Sequence, residues 1–144
     1  MTKAKAKAIV LSVGLSVSAP CFGVDPWVSV MTRSYHNDRT QGYNEKNWGL
    51  GIEQDIYKGW RFSVGTYRNS FSRRSTYIGG LYTPIHFGNN SQWSFGGTLG
   101  LVSGYKGGVL PYAAPVLTWE GKKVGVNILS IPGAVTAIQV KAKF

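Results

Sequence analysis

The stretch "AVTAIQVKAKF", residues 134–144, alternates along its whole length. Ala134, Thr136, Ile138, Val140, Ala142 and Phe144 fall on one face of an extended strand, and Val135, Ala137, Gln139, Lys141 and Lys143 on the other. The first face suits hydrocarbon; the second suits a polar or crowded interior. The scheme recurs upstream. Trp93, Phe95, Leu99 and Leu101 oppose Ser94, Gly96, Thr98 and Gly100, while Trp48, Leu50 and Ile52 oppose Gly49, Gly51 and Glu53. A secreted β-sandwich would show Lys and Glu opposite its apolar residues. Here that face is mostly Gly, Ser and Thr, as in the inside of a narrow barrel.

Period-two alternation marks eight segments, 27–36, 46–55, 60–69, 75–85, 92–103, 110–119, 122–131 and 134–144. Turn chemistry separates them in "YKG", "FGNNS", "GYKGG", "EGK" and "IPG". No 3.6-residue apolar pattern is sustained. The expected fold is all-β: an eight-stranded antiparallel up-and-down transmembrane β-barrel, closed so that no backbone edge meets the bilayer. Pro84, Pro111 and Pro115 fall within strands. Since proline donates no hydrogen bond, they suggest a bulge, an inert strand end or a local opening between neighbours.

The N-terminus reads as a secretory signal over residues 1–23, with Lys3, Lys5 and Lys7 preceding a short apolar run from Ile9 to Val17. That run is well short of the roughly 20 residues of a transmembrane helix. The single cysteine, Cys21, lies in this segment, and Pro20 is a poor match to the small residue that precedes a lipidated cysteine. Residues 24–144 form one domain, without disulfide or thiolate chemistry. The three signal lysines leave 13 basic residues against 6 acidic ones. For an exported chain this excess points to anionic lipid and not to nucleic acid, or simply to hydrated loops.

With both termini on the periplasmic side, the outer connections are 37–45, 70–74, 104–109 and 132–133. Strand counting then gathers His36, Tyr43, Asn44, Glu45, Asn69 and Ser70 on one rim, while His86 sits on an inner turn. The first and third strands lie about 10 Å apart, twice the strand spacing, so His36 and Ser70 are able to meet. A histidine beside a serine hydroxyl is a candidate general base, and a third polar group fixes its tautomer. The same residue types also satisfy the backbone at ordinary strand ends. Arg68, Arg73 and Arg74 beside Ser70 are candidate phosphate ligands, or a basic rim facing lipopolysaccharide. Glycines 49, 51, 65, 79, 80, 96, 97 and 100 thin the walls for an acyl chain, or relieve strand curvature.

"YNEKNWGLG", residues 43–51, resembles the Tyr-Asn-Glu-Arg-x-Trp-Gly-x-Gly segment of the PagP family, and "YRNSF" resembles its Lys-Asp-Ser-Trp; "SIPG" and the aromatic C-terminus are also similar. The likeness is best over residues 43–80. The family comprises outer-membrane enzymes that move a palmitoyl chain from phospholipid to lipid A, using His, Asp and Ser at the outer face of an eight-stranded barrel. The resemblance implies Ser70 as the serine, Asn69 in the aspartate's place and His36 as the histidine on a shortened first loop. Asp38 and Glu45 are the other carboxylates at that rim. The family's N-terminal amphipathic helix has no counterpart before Pro26-Trp27. The expected function is a lipid A acyltransferase-like activity, with a lipid deacylase or a non-catalytic lipid-binding barrel as alternatives. Expected partners are phospholipid and lipid A or lipopolysaccharide in the cell outer membrane. The chain is expected to act as a monomer without nucleic acid, cofactor or metal.

Overall fold

The structure is a computed structural model, and it describes residues 26–144. The signal segment, Cys21 and Asp25 lie outside the described residues. Eight strands follow in order: β1 (Trp27–His36), β2 (Gly49–Tyr57), β3 (Trp60–Arg68), β4 (Arg74–Phe87), β5 (Trp93–Tyr105), β6 (Gly108–Glu120), β7 (Val124–Ile131) and β8 (Val135–Ala142). Each pairs antiparallel with the next, and β8 returns to β1, closing the barrel. The expected all-β barrel is therefore present, with strand ends moved by a few residues. β2 starts at Gly49 because the preceding residues spend their polar groups on loop contacts: Asn44 Nδ2 donates to the Lys46 carbonyl, and Asn47 Nδ2 to that of Arg68.

The two faces separate as alternation requires. Leu50, Ile52, Ile78, Leu99, Leu101 and Val140 are exposed on the outside. Inside, Glu53, Ser63, Thr98, Thr118, Asn127, Gln139 and Lys141 are buried, and among the described residues the buried hydrophobic side chains are only Trp27, Leu81, Val102 and Val116. A water-soluble fold arranges its residues the other way round. Glycine makes room for bulk within: a Cβ at Gly65 would lie 2.7 Å from the Tyr77 hydroxyl, and one at Gly79 2.6 Å from that of Tyr112. These two inward glycines admit tyrosine rings.

Two irregularities shape the upper half, the half that ends at the β1–β2, β3–β4, β5–β6 and β7–β8 loops. On β1 the register against β8 shifts between Met31 and Arg33. That extra residue reverses the alternation. Trp27 and Ser29 lie inside at odd positions, whereas beyond the bulge the even positions Ser34 and His36 pair with the inward Ala137 and Val135. The second irregularity is that β1 pairs with β2 only from Trp27 to Met31, and β6 with β7 only from Val116 to Glu120. Residues 108–115, the upper part of β6, thus have no β7 partner. Pro111 and Pro115 face outward on that stretch, where the missing donors cost no ladder bond. In the lower half, the register of β4 against β5 shifts between Tyr82 and Ile85, the span that contains Pro84.

Candidate active site at the upper rim

The bulge on β1 delivers His36 to the mouth of the barrel, and the β3–β4 turn delivers Ser70. His36 Nε2 lies 2.8 Å from Ser70 Oγ. The approach that strand counting allowed is thus realised. The Tyr43 ring lies against the imidazole, with centroids 4.6 Å apart and planes inclined by 33°. Phe71 meets Tyr43 edge-on at 5.7 Å and Tyr105 at 6.0 Å. Aromatic surface therefore excludes water from one side of the His–Ser pair.

Asn69 does not join them. It is fully buried and organises the turn that presents Ser70. Its Oδ1 accepts the backbone N–H groups of Phe71 (2.9 Å) and Arg73 (3.0 Å), and its Nδ2 donates to Ser75 Oγ (3.0 Å) and the Gly104 carbonyl (2.9 Å). With both amide groups in use, it has nothing left with which to orient a ring. Asn44 is also a brace: its Nδ2 donates to the Asn69 carbonyl at 3.1 Å, and its backbone N–H to that of Ser70 at 2.8 Å. Glu45 Oε1 accepts the His36 backbone N–H at 3.3 Å. Asp38 lines the mouth from the same loop. The Thr40 hydroxyl and backbone N–H, both donating to Oδ1, hold its carboxyl below the usual carboxylate range.

Arg68, Arg73 and Arg74 are exposed along the turn. Every ion pair among the described residues lies elsewhere, in the lower half, so these guanidinium groups are free of carboxylate partners. Arg68 Nε donates to the Ser72 carbonyl at 3.3 Å.

Below the His–Ser pair a cavity of about 540 Å³ runs down the interior. Its upper walls are Tyr67, Val102, Leu110, Tyr112, Leu129 and Ala137; it ends at Ser63, Thr98, Asn127 and Gln139. Pro111 and Ala114, on the unpaired stretch of β6, also line it. Beneath this floor Lys141 Nζ donates to Glu53 Oε2 at 2.9 Å and pairs with Glu120, and Arg61 pairs with Asp55 at 2.7 Å and with Glu53 and Glu120. The barrel is a cup, open above and closed by ions below. Sequence reasoning missed the tyrosines that furnish its walls, among them Tyr67 and Tyr105, whose hydroxyls lie 2.9 Å apart. Inward parity with Ser63 was the available signal for Tyr67, whereas Tyr105 turns inward only beyond the register shift that follows Val102. Among the described residues no cluster of three potential metal ligands occurs.

No family model matches the chain, and no curated protein matches it. Among solved structures, one described as a biogenic amine-binding protein, selenomethionine derivative, is similar at 17% identity with a TM-score of 0.49; the match covers 81% of this chain and 62% of that one.

Proposed function

We propose that the protein is an outer-membrane lipid acyltransferase that moves an acyl chain from a phospholipid to lipid A. The observation that carries the reading is a His36–Ser70 pair at hydrogen-bonding distance over a deep cavity, in a barrel whose exposed surface is apolar. Exposed Ile, Leu, Val and aromatic side chains around the barrel match hydrocarbon solvent, and the closed ladder in its lower half matches the bilayer's demand for paired backbone groups. A soluble chain with this surface would associate through it.

The donor lipid's acyl chain enters the cup, and the break between β6 and β7 offers it a sideways route from the membrane. At the mouth, an attacking hydroxyl loses its proton as its oxygen bonds the ester carbon. The proton passes through His36 to the departing glycerol oxygen. Ser70 holds the ring, and Arg68, Arg73 and Arg74 hold phosphate by charge-assisted hydrogen bonds.

The test is expression in an outer membrane, followed by mass spectrometry of lipid A. The expected result is one added acyl chain, absent in His36→Ala and Ser70→Ala. Unchanged lipid A with the barrel correctly inserted would refute transfer, and mass loss would identify a deacylase. A second reading, a lipid-binding barrel without chemistry, is favoured by one observation: His36 Nδ1 is buried with no hydrogen-bond partner. It predicts bound lipid and no mass change.

A further inference from the structure

Base catalysis by His36 needs a feature that the resting site lacks. An orphaned buried N–H costs more than an orphaned lone pair, and Nδ1 is buried and unpartnered. The resting ring therefore carries its proton on Nε2 and donates it to Ser70 Oγ. In that tautomer Nε2 has no lone pair with which to accept a proton. The reactive tautomer has its proton on Nδ1 and an acceptor facing it.

The acids can be accounted for one by one. The sequence has six Asp and Glu residues. Glu53, Asp55 and Glu120 are committed to Arg61 and Lys141 below the cavity floor. Asp25 lies outside the described residues, and Asp38 is tied to Thr40. Glu45 remains. Its backbone carbonyl accepts the Ser34 N–H at 3.0 Å, which pins it beside β1, and its Oε1 reaches the His36 backbone N–H at a long 3.3 Å. A carboxylate already at the backbone nitrogen of a histidine needs a change of rotamer to reach Nδ1 of the same residue.

We infer that Glu45 is the positioning residue of the site. When substrate enters, its carboxylate leaves the His36 backbone and accepts the Nδ1–H, freeing the Nε2 lone pair toward the attacking hydroxyl. Nε2 takes that proton as the new C–O bond forms. The imidazolium returns it to the donor lipid's glycerol oxygen as the old C–O bond breaks, and Glu45 stays ionised throughout. The inference rests on the acyl-transfer reading for its purpose, but the hydrogen-bond exchange is testable without it.

The experiment compares the full-length wild type with Glu45→Gln, Glu45→Asp and Asp38→Asn, refolded in micelles containing dilauroyl phosphatidylcholine. Retained β-sheet circular dichroism qualifies each variant. Two readouts follow: acyl transfer to lipid A, and the 15N chemical shifts of the His36 ring, which distinguish Nδ1–H from Nε2–H. The expected result is a kcat loss of about 100-fold in Glu45→Gln with KM within about twofold, the scale of a general-base contribution. Glu45→Asp recovers most of it, and Asp38→Asn loses much less than Glu45→Gln. On lipid addition the wild-type ring shifts to Nδ1–H, and Glu45→Gln does not. Wild-type kcat in Glu45→Gln, with transfer present, overturns the role of Glu45 and leaves the acyl-transfer reading standing. If no variant transfers, that reading fails, and the 15N comparison alone decides: identical shifts in wild type and Glu45→Gln overturn the exchange.

Discussion

Replacing Lys141 by Met tests whether the lower half of the barrel is held by its buried ions. Lys141 and Glu53 are both fully buried, 2.9 Å apart, and Lys141 also pairs with the less buried Glu120. The cluster sets two cations, Arg61 and Lys141, against three carboxylates, so losing Lys141 leaves one cation for three anions. Breaking a buried pair costs about 3–5 kcal/mol, chiefly because the abandoned charge stays desolvated. Glu53 retains Arg61 at 3.4 Å and the Asn127 amide, which places the loss near the lower bound, about 3 kcal/mol. With a urea slope of about 2 kcal/mol/M, the unfolding midpoint in micelles falls by about 1.5 M. Neutralising the stranded anion reverses most of this. The double variant Glu53→Gln with Lys141→Met sits about 1 kcal/mol below wild type, a coupling energy of the size expected for residues in direct contact. If Lys141→Met loses less than about 1 kcal/mol, or if the double variant loses the sum of the singles, the buried charges do not hold the lower barrel.

Four further outcomes are expected. Deleting Thr32 removes the β1 bulge, turns His36 outward and abolishes transfer while β-sheet circular dichroism persists; transfer in the deletion variant would show that the bulge does not aim the histidine. Asn69→Asp puts a carboxylate oxygen against the Gly104 carbonyl where an N–H donated, so chemical denaturation should show a loss of about 1–3 kcal/mol, and lipid A analysis no gain in transfer. Tyr77 and Tyr112 fill the space that Gly65 and Gly79 leave, so Gly79→Val should lower the thermal midpoint and displace Tyr112, visible as lost tyrosine ellipticity in the near ultraviolet. From the Arg68 level to Ser63 is five residues of β3, about 16 Å along the strand and about 12 Å along a barrel axis tilted by about 40°. At about 1.25 Å per carbon, from C–C bonds of about 1.5 Å, the cup takes about ten carbons before the polar floor; competing donor lipids should show preference falling beyond about twelve.

The alternation of β2, β5 and β8 was enough to assign the fold, because inside and outside differ in kind here: Glu53 and Lys141 inward, Ile52 and Val140 outward. What local pattern did not carry was any contact made across the barrel. Glu53 and Lys141 are 88 positions apart, and each reads alone as an oddly placed charge. The bulge at Thr32 was hidden for a different reason. Either parity of β1 mixes apolar with polar residues, so one extra residue leaves no mark on the pattern. Asn69 shows the converse case: its neighbours Ser70 and His36 drew it into a catalytic grouping, whereas an Asn accepting N–H groups two and four residues ahead is a turn former, and that chemistry was local and readable.

The two ends of the barrel divide the work between them. Below the cavity floor β6 and β7 pair continuously, β1 and β2 pair continuously, and five charged side chains fill the interior. Above it both pairs part, β1 bulges, and prolines stand where β6 has no β7 partner. An upper wall this poor in ladder bonds would be a weak place in an isolated sheet. Here the loops repair it selectively: Asn44 and Asn47 tie the β1–β2 loop to the β3 end, and Glu45 ties it to β1, whereas the β6 stretch 108–115 is left open on its β7 side. The braced gap is beside His36 and Ser70, whose geometry the proposed proton transfer requires to be held. The unbraced one is on the opposite strands, where the proposed entry of an acyl chain requires the wall to yield. On the proposed acyl-transfer reading, the upper half is rigid at the reacting groups and loose at the lipid's entry, and it can serve both demands because the ionic base below holds the barrel closed.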